Sequence, residues 1–130
     1  MKAFNCNDSQ KNWTDLILSG EKTIETRNSN SLASLVGKRV GIVQTGVGKA
    51  KLVGYVTISD AVRYTDEPRF RHDEPLHHVP CDLKGYEWNG VKFGYVMSDP
   101  ERIEPQTLPA SCRGIVIRNL TTNPLNHNKL

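Results

Sequence analysis

The sequence predicts an α+β domain, a small mixed β-barrel with flanking short helices. Three observations predict it. A single helix signal near the start is followed by several short runs of β-branched residues, no helical pattern alternates with those runs, and glycine, proline or charge separates them. A doubly wound parallel sheet needs a helix between successive strands, so that architecture is excluded.

The elements follow in chain order. Asn12 precedes Trp13 and is followed three residues later by Asp15, residue types whose side-chain oxygens satisfy the free amides of a first helical turn. Trp13, Leu16 and Ile17 then recur at the i, i+3, i+4 spacing of one buried face, and Gly20 supplies a left-handed cap, so a helix is expected over 13–19. Thr23, Ile24 and Thr26 are β-branched, which makes the chain after Gly20 extended. Strands are expected over 39–44, 52–59, 91–97 and 114–120, with the glycine-rich residues 45–49 turning a hairpin between the first two. Residues 60–87 are rich in proline, histidine and charge and show no period. They read as a long irregular excursion, and loops of that length in compact domains serve as lids or binding loops, so this one is a candidate wall of a site.

With 130 residues the chain suits one domain, expected over 1–120, with a polar tail over 121–130. No apolar run approaches the roughly 18 residues of a membrane span. The first ten residues lack the apolar core of a signal peptide, so a cytoplasmic location is expected. Cys6, Cys81 and Cys112 are then expected as thiols, since an odd number at wide spacing fits neither a disulfide framework nor a paired zinc motif. The net charge of +3 is unevenly spread: residues 1–65 hold 9 Lys/Arg against 5 Asp/Glu, and residues 66–130 hold 8 against 9. That asymmetry permits a basic face for a polyanion without requiring one.

Several motifs carry candidate chemistry. Gly46-Val47-Gly48-Lys49 looks like part of a phosphate loop, but Val43 and Ala50 stand where that loop needs glycine and Ser or Thr, so the segment reads as a turn. His72, His77, His78 and Cys81 fall close together, yet their spacing matches no zinc pattern, and neither a metal nor another cofactor is expected. The three histidines would gain charge on mild acidification, so any RNA affinity carried by the excursion is expected to rise towards pH 5.5. Ser111-Cys112-Arg113 reads as the approach to the last strand, with no base identified for a nucleophile. Lys22, Glu25 and Arg27 place two cations and a carboxylate just after the helix. They fit either an exposed ion-pair cluster contributing about 0–1 kcal/mol or a group lining a cleft, where lysine could bind phosphate or act as a base and arginine could clamp an anion.

Gly20-x-Lys22-x-x-Glu25-x-Arg27 resembles the G-x-K-x-x-E-x-R signature of ASCH domains, the activating-signal-cointegrator homology family of the PUA-like fold. The likeness extends in the family's order from the helix at Trp13 through Val53-Gly54-Tyr55-Val56 and residues 93–105 to Arg113-Gly114. It implies a PUA-like barrel with a pocket holding Lys22, Glu25 and Arg27 and walled by the loop before Val91. It also implies RNA or a modified nucleoside as partner, with no membrane and no obligate protein partner. In that reading Lys22 and Glu25 are the catalytic candidates, Lys22 contacting phosphate or serving as acid/base and Glu25 orienting it. Lys22, Arg27, Trp88, Tyr95 and Arg113 are the ligand-binding candidates, with Trp88 or Tyr95 stacking on a base. The activity implied is binding of RNA or a modified nucleotide with hydrolysis of single-stranded RNA. The alternatives are an N4-acetylcytidine amidohydrolase and a non-catalytic reader. The family's bacterial amidohydrolases carry threonine three residues after the motif lysine, where Glu25 stands here, so their covalent route does not transfer.

Overall fold

A computed structural model describes residues 1–109 and 116–120. The expected helix forms as α1 (Trp13–Leu18), with the Asn12 side chain accepting from the Asp15 amide at 3.4 Å. Ser19 stays right-handed and Gly20 turns to φ 86°, a conformation that favours glycine, which reverses the chain out of the helix. Trp13, Ile17 and Leu18 are buried. The buried Asp8 carboxylate fixes the approach to α1 by accepting from the Thr14 amide, the Thr14 hydroxyl (2.6 Å) and the Gln44 amide (2.9 Å).

The strands are β1 (Lys2–Asn7), β2 (Ile24–Arg27), β3 (Lys38–Thr45), β4 (Lys51–Tyr64), β5 (Lys92–Thr107) and β6 (Ile117–Asn119). They make one mixed sheet in the order β2-β5-β4-β3-β1-β6. β1 runs parallel to β3 and all other neighbours are antiparallel. Register shifts at three points between β4 and β5, and one between β3 and β4, curl the sheet into a half-barrel. The expected hairpin joins β3 to β4, with Gly46 and Gly48 at positive φ. The core inside the curl is led by Phe4, Trp13, Leu32, Ile42, Ile58 and Tyr95. Gly54 in β4 has no room for a side chain, because a Cβ there would strike the Glu101 carbonyl of β5 and the Leu18 side chain of α1.

The sequence reading missed β1, which is defined by long-range pairing, parallel to β3 and antiparallel to β6. It also stopped β4 and β5 short: bulges let Asp60 to Tyr64 stay in β4, and Asp99 at φ 54° bends β5 so that the strand continues past Pro100. The excursion is partly regular. After β4 it forms α2 (Glu67–His72) and α3 (Glu74–His77), each with proline in its first turn, and both are too short to show a helical period. No helix among the described residues is long and apolar enough to cross a membrane.

Candidate ligand-binding site

The spacing of the Lys22-Glu25-Arg27 group has a local cause. Glu25 and Arg27 are two residues apart on β2, so their side chains share a face, and Lys22 reaches the same region from the turn that Gly20 initiates. Arg27 donates from Nε (3.1 Å) and Nη2 (2.9 Å) to Glu25 Oε2, and Nη2 also meets the Asn5 carbonyl at 2.7 Å. This last bond ties β2, at one end of the sheet, to β1 near the other. Lys22 is 2% exposed. Its Nζ donates to the carbonyls of Ile24 (2.8 Å) and His77 (2.6 Å), lies 3.6 Å from Glu25 Oε1, and sits 4.9 Å from the centre of a Trp13 ring. Burial pushes the Lys22 pKa down, and the Glu25 carboxylate opposes that shift. Burial likewise raises the neighbouring Cys6 thiol well above its ordinary value, with Glu25 and Asp8 adding to the rise, which keeps Cys6 protonated.

Beside this group lies a cavity of about 150 Å³ lined by Thr26, Arg27, Asn28 and Lys92 on the strand side. Phe70, Val79, Gly85 and Tyr86 of the excursion line the other side. Three consecutive residues of the β2 line reach it because β2 is an edge strand. Lys92 is 4% exposed, and among the described residues its Nζ makes one hydrogen bond, to Asn28 Oδ1 at 2.7 Å. Burial lowers the Lys92 pKa, the Arg71 charge lowers it further, and Glu87 partly offsets both. Tyr86 packs its ring 5.5 Å from Trp13, and burial raises its phenol pKa. The lining contains two cations and no carboxylate.

The candidates from sequence are distributed unevenly around this cavity. Arg27 belongs to both the ion-pair group and the cavity lining; Lys22 and Glu25 are enclosed beside it. Trp88 is half-buried, with its ring 5.7 Å from Phe70, and lies outside the lining. Tyr95 corrects an expectation. It is 1% exposed, cross-strand from Glu25, with its hydroxyl directed at the Ser29 carbonyl, so its ring fills the core and offers no face to a base. Arg113 lies outside the described residues. The excursion's histidines also differ from the expectation of a common acid response. His77 is enclosed, stacked 4.1 Å from Phe70, with Nε2 donating to the Phe70 carbonyl and Nδ1 accepting from the Val79 amide. Both nitrogens are satisfied only in the neutral ring, and burial lowers the pKa, so His77 resists protonation relative to a free histidine. His78 Nε2 meets the Glu21 carbonyl at 3.0 Å.

The sequence reading missed Lys92, Asn28 and Tyr86. Lys92 had a signal, as the one cation inside the expected strand 91–97 apart from aromatic and small neighbours, where full burial of lysine is rare. Asn28 and Tyr86 had none, because only the fold brings them to the end of β5.

No protein-family model matches the sequence, and no curated protein matches it. Solved structures do. ASCH from Zymomonas mobilis superposes with a TM-score of 0.63 at 16% identity, covering 82% of this chain and 73% of that one. A tyrosine-to-phenylalanine mutant of the Zymomonas mobilis protein gives 0.66 at 19% identity over 82% and 75%. A serine-to-alanine mutant gives 0.72 at 15% identity over 98% and 93%. Likeness at such identity is a likeness of fold: with its mixed, curled six-stranded sheet this chain shares the fold of those ASCH structures.

Proposed function

We propose that the chain binds RNA or a modified nucleotide, with one group of a nucleotide seated in the cavity between β2 and the excursion, as a reader of its ligand. The observation that carries this reading is the cavity itself, with two cations, an aromatic wall and no carboxylate in its lining. Its volume of about 150 Å³ suits a single ring or a single small group, since a cavity of roughly that size holds benzene, whereas drug-sized ligands need about 300 Å³ or more. Thr26 and Asn28 supply hydrogen-bonding groups, and Tyr86 and Phe70 supply apolar ring surface. The resemblance of Gly20-x-Lys22-x-x-Glu25-x-Arg27 to the ASCH signature supports a nucleotide over other small anions.

Binding is favoured over hydrolysis by the state of Lys22. A general acid or base must reach the proton it transfers, and the Lys22 ammonium is enclosed, donating to the Ile24 and His77 carbonyls with Glu25 at 3.6 Å. Titration of a fluorescein-labelled single-stranded RNA at fixed salt tests the reading. Saturable binding is expected, weakened about tenfold in Tyr86→Leu by loss of ring contact, and the RNA should remain intact. Fragments formed by wild type and absent with Lys22→Ala would replace the reader with a ribonuclease. A fall in N4-acetylcytidine absorbance on mixing would replace it with an amidohydrolase. No saturable binding to RNA or nucleoside would remove the nucleotide reading.

A further inference from the structure

Lys92 is buried without the partners that burial ordinarily requires. An ammonium has three N–H donors, and among the described residues Nζ meets one acceptor, Asn28 Oδ1, while no carboxylate comes within ion-pair distance. Leaving donors of a buried cation unmet is costly, and lysine is almost never enclosed unless paired. The unmet donors belong to a residue that lines the cavity. A second set belongs to Arg27, which commits Nε and Nη2 to Glu25 and Asn5 while Nη1 makes no hydrogen bond among the described residues. Arg71 Nη1 is buried without a hydrogen-bond partner among the described residues, and the Arg71 charge acts on Lys92. Glu25 is already shared by Lys22 and Arg27, Glu67 is held by Arg71, and Glu87, which accepts from the Gly85 amide, offsets the Lys92 shift only in part and forms no ion pair with it among the described residues.

We infer that Lys92 and Arg27 form an oxyanion subsite that takes a phosphate group of the ligand, with Asn28 holding the Lys92 ammonium in place. The inference rests on the nucleotide reading above and deepens it: a phosphorylated nucleotide is bound in preference to the bare nucleoside. A phosphate oxygen would accept from Lys92 Nζ and Arg27 Nη1, meeting donors that the protein leaves open, and charge-assisted bonds of this kind are the strong ones. The small cavity takes the phosphate, and the sugar and base extend past Tyr86 towards solvent.

Calorimetry with uridine, uridine 5′-monophosphate, inorganic phosphate and a uridine trinucleotide with or without a 5′-phosphate, all at one ionic strength, tests this. The monophosphate should bind at least about tenfold tighter than uridine, and Lys92→Met should reduce that advantage to about twofold or less. A preference of the trinucleotide for its 5′-phosphate identifies a terminal phosphate as the group bound; equal affinity of the two trinucleotides, both tighter than uridine, identifies a backbone phosphate. Wild-type protein with nitrogen-labelled lysine gives a readout free of any variant, since the Lys92 ammonium signal should move on adding phosphate and stay in place on adding chloride. Equal affinity for uridine and its monophosphate, or an advantage that survives in Lys92→Met, overturns the subsite while leaving nucleoside binding intact. A Lys92 response to inorganic phosphate with no binding of any nucleoside, nucleotide or RNA keeps the subsite and removes the nucleotide reading.

Discussion

Two lysines are buried within the same half of this molecule, and the protein treats them in opposite ways. Lys22 has carbonyls of β2 and α3 at 2.8 and 2.6 Å and a carboxylate at 3.6 Å, so its charge is compensated from within. Lys92 has one side-chain carbonyl, a repelling arginine, and only the partial offset of a Glu87 carboxylate that makes no ion pair with it among the described residues. A compensated buried charge is a structural joint, because its partners cannot leave without exposing it. An uncompensated one is a site waiting for an anion, because only something from outside can meet its donors. The motif lysine, which sequence resemblance marks first, is therefore the joint, and the lysine outside the motif faces the cavity.

The largest test of the comparison is to remove the compensation. Glu25→Gln leaves Lys22 and Arg27 enclosed side by side without their shared counter-charge, and breaking a buried pair in this way costs about 3–5 kcal/mol. Urea unfolding should register that loss, and a change below about 1 kcal/mol would mean that the group is solvated and not a joint. Lys22→Met should cost slightly less, about 2–4 kcal/mol, because Glu25 keeps Arg27 while the Ile24 and His77 carbonyls lose their donor.

This contrast shows where legibility in the sequence stops. The helix at Trp13, its cap at Asn12, the reversal at Gly20 and the β3–β4 hairpin are local, set by residues within a few positions of one another, and all were readable. The half-barrel class followed from their order. β1 was not readable, because what makes Lys2–Asn7 a strand is its pairing with β3 and β6, both distant in sequence. At the site, the pattern of Lys22, Glu25 and Arg27 was visible from spacing on a strand, yet whether that group faced solvent, a ligand or the interior depended on where α3 placed the His77 carbonyl. Tyr95 illustrates the same limit. An aromatic residue on a strand looks identical in sequence whether it stacks on a base or fills the core.

His77 joins the two regions, since its carbonyl holds Lys22 and its ring stacks on Phe70, a wall of the cavity. Its pKa is lowered in the fold from an ordinary 6.5, so as the pH falls through 6.5 the unfolded chain takes up the proton first and stability is lost, until the folded ring also protonates. Between pH 7 and 5 wild type should lose stability from this group. His77→Gln should shed that acid slope when unfolding is followed across the range. If the slope is unchanged in His77→Gln, another group carries it and α3 is not the acid-sensitive link between the two lysines.

The smallest expected effect is the sharpest, because its sign separates the two lysines. In ligand-free protein Lys92→Met exchanges a poorly compensated ammonium for an apolar chain of similar length, and the Asn28 carbonyl it releases belongs to an exposed residue that water can satisfy. Stability at pH 7 should stay level or rise by up to about 1 kcal/mol, against the loss expected for Lys22→Met. The alkaline limb adds a second criterion. The folded pKa of Lys92 lies below the ordinary 10.5, so between those two values the unfolded chain holds the extra proton and wild-type stability rises with pH. Lys22, shifted in the same direction, contributes a rise of the same sign that Lys92→Met retains. Urea midpoints from pH 7 to 10 should therefore climb less steeply in Lys92→Met than in wild type. A loss at pH 7 as large as that of Lys22→Met would show that Lys92 is itself a structural joint, and the distinction between a compensated and a waiting cation would collapse.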